Sequence, residues 1–282
     1  MSYPTNQLTR FTFVDRDVRG ELVQLSTSYQ RMLQGHDYPK VVQRLLGELM
    51  AATALLTATL KFEGHIAIQL QGDGPINFIA VNGSHHQQLR GIARVRSAIA
   101  DDCTDLPTLM GHAHLIITLT PLQGERYQGM VSGDGNSIAE IIEGYFAQSE
   151  QLQTRVWLQA DGEHAAGMLL QVMPAAGHDR SYFEHLEVLT DTITAAELFS
   201  LSSDEILTRL YHDEQVEVYP SQAVSFHCGC SRERTLDALS TVPAAELQEI
   251  LAADGDIRMN CDYCRSEYIF TATDLQSQGA GS

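Results

Sequence analysis

Four of the five cysteines in this 282-residue chain sit near one end, in two tight pairs, Cys228-x-Cys230 and Cys261-x-x-Cys264. Four thiolates offered as two close pairs are a donor set for tetrahedral Zn2+, and they leave no coordination position for water. Such a centre is structural or regulatory rather than hydrolytic. The same spacing also permits redox chemistry. Two residues separated by one other lie within about 7 Å of chain reach, and a CxxC knuckle brings its sulfurs equally near, so each half-site can close into a disulfide. Four cysteines allow three pairings, of which the local one requires the least motion. Sulfur held as thiolate is the form that oxidants attack, through sulfenic acid towards disulfide. Spacing alone leaves a passive zinc module and a redox switch both open.

Other candidate groups are weaker. Cys103 stands alone behind Asp101 and Asp102, whose charges disfavour its thiolate. His112-x-His114 could point two imidazoles the same way on a strand, but the sequence supplies no third ligand. His227, beside Cys228, is a substitute ligand for a set that is already complete. Gly72-Asp73-Gly74-Pro75 and Gly133-Asp134-Gly135 read as turns, not as phosphate loops. No serine has a nucleophile-elbow setting, so no enzyme is expected. A dithiol oxidoreductase using Cys261 and Cys264 is the catalytic alternative, and a zinc-ribbon adaptor without redox function is the structural one.

The elements that must position the cysteines form a small block, residues 228–282. Leu236 and Leu239 mark one short helix, and Leu247, Ile250 and Leu251 a second that Pro243 opens and Gly255 stops. Residues 257–259 and 267–270 flank the second cysteine pair as a hairpin. A block of roughly fifty residues buries too little apolar area to fold unaided and needs a staple. Structural zinc contributes about 10 to 16 kcal/mol, against about 5 to 15 kcal/mol for the stability of a whole domain. Loss of the metal is therefore expected to unfold the block.

Residues 177–227 read as an acidic, amphipathic helical linker with capping-box spacing at Thr194/Glu197 and Ser202/Glu205. Helices this short are marginal alone and must lean on something. If they lean on the zinc block, its unfolding exposes Phe183, Leu186, Leu198, Phe199, Leu207 and Leu210 as sticky, client-binding surface.

Residues 1–176 read as an α+β core. One helix is expected over residues 39–60, from the recurrence of Val42, Leu45, Leu46, Leu49, Ala52 and Leu56, and another over 136–152. Strands are expected at 66–70, 76–81, 115–120, 127–132, 155–159 and 168–173, mostly linked as hairpins. The apolar run 49–60 is shorter than the roughly 20 residues of a membrane span, and no secretory signal is apparent at the N-terminus. A formal charge of −18 opposes binding to a phosphate backbone. A soluble, cytoplasmic protein with neither nucleic-acid nor membrane partners is expected.

The whole chain resembles the 33 kDa chaperonin family of redox-regulated heat-shock holdases. The resemblance lies in Arg19-Gly20-Glu21-Leu22, Gln71-Gly72-Asp73-Gly74-Pro75, Arg90-Gly91, Gly124-Glu125-Arg126-Tyr127-Gln128-Gly129, Tyr145-Phe146, Gln148-Ser149-Glu150-Gln151, Leu169-Leu170-Gln171-Val172-Met173-Pro174, Leu210-Tyr211-His212 and the cysteine set with Cys230-Ser231-Arg232-Glu233, all in order. Gln153 stands where proline is expected, and Ala165-Ala166-Gly167 where a more glycine-rich turn is expected. The resemblance implies an ATP-independent chaperone that is inactive while reduced and zinc-bound. It implies one Zn2+ on Cys228, Cys230, Cys261 and Cys264. Oxidation is then expected to pair Cys228 with Cys230 and Cys261 with Cys264, release zinc and unfold the linker. The active form is expected to be a homodimer that holds unfolding clients and, after reduction, hands them to ATP-dependent foldases.

Overall fold

A computed structural model of the chain describes residues 6–100, 102–173 and 180–279. The expected junction between core and linker, at residues 176 and 177, lies outside the described residues, as does Asp101 beside Cys103. The chain divides into two compact units, one of residues 1–33 and 37–227, the other of residues 34–36 and 228–282.

The larger unit opens with β1 (Gln7–Phe13), β2 (Val18–Leu25), α1 (Thr27–Leu33) and α2 (Lys40–Ala58). Strands β3 (Gly64–Gln71), β4 (Ile76–Ser84) and β5 (Gln88–Val95) follow, then α3 (Leu106–Met110). Next come β6 (His114–Pro121), β7 (Tyr127–Ser132), and α4 (Ile138–Tyr145), which runs into a π-helical turn (Phe146–Glu150). Strands β8 (Thr154–Ala160) and β9 (Ala165–Val172) lead to α5 (Arg180–Thr190), α6 (Ala195–Ser200) and α7 (Ser203–Leu210). The unit ends in three short strands, β10 (Val216–Val218), β11 (Gln222–Ala223) and β12 (Ser225–Phe226).

Among the described residues these strands make two six-stranded sheets. One has the order β10-β1-β2-β9-β8 with β11 also on β1; the other has the order β12-β5-β4-β3-β6-β7. Every pairing is antiparallel except β12 on β5. The expected α+β class is therefore observed.

Helix α2 lies between the sheets, packed on strands of both. Its apolar positions are buried all round, which explains the weak amphipathicity of its C-terminal half. Buried threonines are tolerated there because Thr53 Oγ1 donates to Leu49 O at 2.7 Å and Thr57 Oγ1 to Thr53 O at 2.6 Å. By length and composition α2 could cross a membrane, but it is the core helix of this fold.

The first sheet is buried on both faces. Leu8, Val23, Leu25 and Leu169 point to α2, while Phe11, Phe13, Leu22, Met168 and Leu170 point the other way. That outer face is covered by α5, α6 and α7 through Phe183, Leu186, Leu198, Ile206, Leu207 and Leu210. The support of these acidic helices is thus the sheet, not the zinc block considered from sequence. The physical reason is that Phe11, Phe13 and Met168 leave a broad apolar surface that these helices, with Tyr211 just after α7, shield. Capping boxes at Thr194/Glu197 and Ser202/Glu205 are both formed, as their spacing predicts. A charged cluster ties α5 down. Arg155 on β8 meets Glu187 on α5 at 2.9 Å, Asp191 just after α5 at 3.7 Å, and Glu143 on α4 at 3.1 Å. Trp157 Nε1 also donates to Asp191 at 2.8 Å.

Two expectations need correction, and one element had no expectation. The helix expected over 136–152 stops at Tyr145, continues as the π-helical turn, and ends at Gln151 with a left-handed φ of 55°. Ala165-Ala166-Gly167, expected as a turn, belongs to β9; the turn is residues 161–164, where Asp161 Oδ1 accepts from the amides of Glu163 and His164. The hairpin of β1 and β2 was not singled out from sequence, because both faces carry apolar residues and no clean alternation survives. Gly20 in that hairpin is required by close approach, since a Cβ there would overlap the ring of Phe11.

One buried acid gives a pH prediction. Glu21 is 2% exposed, and burial pushes its pKa up to about 7 despite Arg19 and Arg10. The folded pKa lies above the unfolded one, so the stability linked to the neutral carboxyl is complete below about pH 4.5 and lost as pH rises through 7. At about 1.4 kcal/mol per unit, the loss is about 3 kcal/mol. Urea unfolding of Glu21→Gln is expected to lack this slope, so that the variant gains on the parent protein between pH 5 and pH 8.

Candidate metal centre

The smaller unit contains α8 (Arg232–Leu239), α9 (Ala244–Asp254), β13 (Ile257–Asn260), β14 (Glu267–Phe270) and α10 (Ala272–Gly279). Its core is slight. Leu239, Leu247, Ile257 and Phe270 are buried, with Leu236, Val242, Ile250 and Tyr268 partly so. Arg232 supports it from outside, lying over the Phe270 ring at 4.5 Å and pairing with Asp274 at 2.8 Å.

Local chain geometry brings the sulfurs together. Cys228 and Cys230 precede α8, whose N-terminus is capped by Ser231 Oγ accepting from the Arg234 amide at 3.2 Å. Gly229 between them has a φ of 68°, a conformation glycine adopts freely and other residues at a cost. Cys261 and Cys264 occupy the turn of the β13–β14 hairpin, in which Asn260 pairs with Glu267. The turn is closed by the Cys261 amide donating to Ser266 O and the Arg265 amide to Cys261 O, both at 2.9 Å. Arg265 completes it at a left-handed φ of 58°. Within this unit His36 Nε2 lies 3.1 Å from Tyr263 O in the same knuckle.

All four sulfurs fall within 4.8 Å of one another. Cys228 and Cys261 approach to 3.4 Å, and Cys230 and Cys264 to 3.3 Å. All four are free thiols and half-buried. A Zn–S bond of about 2.3 Å gives tetrahedral S···S edges of about 3.8 Å, so these spacings fit a four-sulfur metal site. They are far longer than the roughly 2.05 Å of a disulfide. Among the described residues no other group of histidines, cysteines and acids converges in this way.

Neighbours bias the individual thiols. Burial raises Cys228 and Cys230 above the ordinary thiol range. Burial also acts against the Cys264 thiolate, but hydrogen bonding by Ser266, whose Oγ lies 3.2 Å from the sulfur, and by the neighbouring thiols brings it down to about 6. Tyr268 donates to Cys230 Sγ at 3.1 Å, which pushes the phenol up to about 12. Tyr268 and Ser266 are sulfur partners that sequence reading missed, although both lie within four residues of Cys264.

The other sequence candidates have separate roles. The His112 amide donates to Asp73 Oδ1 at 2.7 Å, and its ring lies 3.2 Å from Asp73 Oδ2, so the pair ties two turns together. Cys103 packs at the margin of the larger core. The His227 amide donates to Leu89 O at 2.9 Å, extending β12 along β5. Of the client-binding candidates, Phe183, Leu186, Leu198, Leu207 and Leu210 are buried against the first sheet, and Phe199 is partly buried with its ring stacked on His164.

Gly229 offers a direct check on the geometry. Gly229→Ala must hold an L-residue at positive φ, at a cost of about 1 to 2 kcal/mol. Competition with a chromogenic chelator is expected to show zinc affinity about tenfold weaker.

Comparison with known proteins agrees with this architecture. A protein named 33 kDa chaperonin from Shewanella woodyi is 53% identical over 270 residues, covering 96% of this chain and 94% of that one. One of the same name from Vibrio parahaemolyticus is 51% identical over 283 residues, covering 98% and 97%. The crystal structure of a 33 kDa chaperonin (heat shock protein 33 homolog) from Thermotoga maritima superposes with a TM-score of 0.83 at 20% identity, covering 96% of this chain and 97% of that one, which speaks to the fold. The family profile described as Hsp33 protein matches residues 6–271, and this chain belongs to the Hsp33 family.

Proposed function

We propose that this chain is a cytoplasmic, ATP-independent holdase switched by oxidation of Cys228, Cys230, Cys261 and Cys264. The observation that carries the reading is the convergence of four free thiols on a unit whose buried core is four side chains. Zinc bound there would supply a cross-link between the two halves of the unit and hold the sulfurs as thiolates. Peroxide oxidises one sulfur of each pair to sulfenic acid, releasing water, and its neighbour displaces a second water as the S–S bond forms. Each disulfide thus consumes one peroxide and leaves two waters. Cys228 pairs with Cys230 and Cys261 with Cys264, because these are the smallest rings to close.

The remaining steps follow from chain continuity. Cys228 comes two residues after β12, a strand of two residues, and β10 and β11 before it have only three and two. Such edges sit at the low-stability end of a fold. Unfolding of residues 228–282 releases them, and loosening then extends back through residues 177–227. Phe183, Leu186, Leu198, Phe199, Leu207 and Leu210 become client-binding surface. The oxidised form acts as a homodimer on unfolding proteins and, once reduced, passes them to ATP-dependent foldases. Neither nucleic acid nor membrane is a partner, in keeping with a charge of −18.

The test uses one sample throughout. Zinc release, free thiols and light scattering of a thermally unfolding client are measured before peroxide with gentle heating, after it, and after thiol reductant. A holdase of this kind suppresses scattering only in the middle condition. A passive adaptor releases no zinc or gains no client binding, and an oxidoreductase turns over a disulfide substrate without metal.

A further inference from the structure

Tyr268 and Ser266 bring hydroxyls to the sulfurs from outside the donor set. Tyr268 lies on β14 opposite Met259 of β13, and its hydroxyl donates to Cys230 Sγ at 3.1 Å, across 38 residues of chain. Ser266 Oγ is 3.2 Å from Cys264 Sγ, only two residues away in its own turn. Cys230 and Cys264 themselves approach to 3.3 Å. The Ser266 contact comes with the turn, whereas that of Tyr268 exists only when the two halves of the unit are folded together.

Packing places the Tyr268 ring. It is partly buried against the cluster of Leu239, Leu247, Ile257 and Phe270, so the ring belongs to the small core while the hydroxyl stands at the sulfur. An aromatic side chain with an apolar body and a polar tip fits such a boundary. The phenol completes no coordination sphere. It is an outer partner, of the kind that orients and tunes the atoms that do bind.

What this hydrogen bond does to the thiol chemistry follows from where charge moves. A donor to a thiolate is charge-assisted and about twice as strong as one between neutral groups. When peroxide attacks, the Cys230 lone pair forms an S–O bond as the O–O bond breaks, and hydroxide leaves. Sulfur is oxidised by two electrons and peroxide reduced by two. Cys228 then displaces the sulfenic oxygen as a second hydroxide while the S–S bond forms, and both hydroxides take up protons from solvent as water. Negative charge leaves sulfur in the first step, so the Tyr268 hydrogen bond is stronger in the starting thiolate than in the transition state. An interaction of that sign raises the barrier. Departure of the metal without oxidant leaves the charge on sulfur, and there the hydrogen bond is kept.

We propose that Tyr268 is a positioning residue whose hydroxyl holds back peroxide oxidation of Cys230. The inference rests on the redox-switch reading and deepens it, by assigning part of the oxidant threshold to one side chain of the small core. The hydroxyl is held only while β14 packs on that core, so loosening of the core withdraws it.

The test compares the full-length parent protein with Tyr268→Phe, both reduced and zinc-loaded. The substitution keeps the ring and its packing, so zinc content and melting midpoint are expected to be unchanged. Under excess peroxide, zinc release to a chromogenic chelator is expected to be about fivefold faster in Tyr268→Phe, with a larger share of dimedone-trapped sulfenic acid at Cys230. Release to the chelator alone is expected not to accelerate, because that path keeps charge on sulfur. A residue that only braced the fold would speed both. With Co2+ in place of zinc, the sulfur-to-metal charge-transfer band is expected to move to longer wavelength in Tyr268→Phe, as the sulfur lone pairs lose a stabilising donor. A variant that holds no zinc, equal acceleration with and without peroxide, or an unmoved band overturns the inference. If peroxide releases zinc from both proteins at one rate, the Tyr268 brake falls and the redox switch stands. If peroxide releases zinc from neither, the switch reading falls and takes the brake with it.

Discussion

Oxidation with loss of zinc is expected to abolish the melting transition of residues 228–282 while leaving that of the larger unit. Four buried side chains, Leu239, Leu247, Ile257 and Phe270, cannot balance the conformational entropy of a block this size. Metal in a small module supplies about 10 to 16 kcal/mol. The two disulfides do not replace it. Closing rings of three and four residues removes only about 3 to 4 kcal/mol of unfolded-state entropy in total. More important, the proposed pairing stays within each knuckle, so nothing ties the segment before α8 to the β13–β14 turn. Hydrogen exchange by mass spectrometry checks this directly. Amides of residues 232–239, 244–254 and 257–270 should exchange as in an unfolded chain after peroxide and chelator, and recover on reduction with zinc. Continued protection would remove the trigger. So would disulfide mapping that joins Cys228 to Cys261 and Cys230 to Cys264, whose sulfurs approach to 3.4 and 3.3 Å, because those bonds would preserve the cross-link.

Phe183→Asp is expected to make the reduced, zinc-loaded protein suppress client aggregation without oxidant. Phe183 is fully buried between α5 and the first sheet, beside Leu186 and in the cluster that contains Phe13. Losing the ring alone costs about 3 to 5 kcal/mol, and a carboxylate in its place adds a desolvation penalty of several more. The helices it anchors are short and owe their order to this contact. They should detach while the zinc site, in the other compact unit, keeps its metal. Arg155→Ala is the graded companion. It removes the contacts to Glu187, Asp191 and Glu143 at a partly exposed position, so its effect is expected to be smaller and to shrink in high salt. Limited proteolysis at residues 180–215 reports release, and zinc content reports the site. A Phe183→Asp protein that is cut readily there yet holds no client would separate linker release from activity and refute the assigned surface.

The contrast between these two regions shows where sequence reading succeeds. The cysteine site was legible because its chemistry is local. CxC and CxxC spacing names the donors, Pro243 and Gly255 mark helix ends, and the hairpin around Cys261 and Cys264 follows from short strand patterns on either side. Long periodic elements such as α2 and alternating strands such as β3 were legible for the same reason. The hairpin of β1 and β2 was not, because a sheet buried on both faces loses the alternation that marks a strand.

What the amino-acid sequence determined by itself was the donor set, the helix caps, the acidic amphipathic character of residues 177–227 and a family resemblance through its ordered motifs. Tertiary structure alone decided what those helices lean on, that Arg155 gathers carboxylates from α4, from α5 and from the residue after α5, that Tyr268 and Ser266 touch sulfur, and that a cleft forms beside Arg19. The physical reason is range: caps, turns and ligand spacing are set by bonds within a few residues, whereas burial depends on which distant surface an apolar face meets.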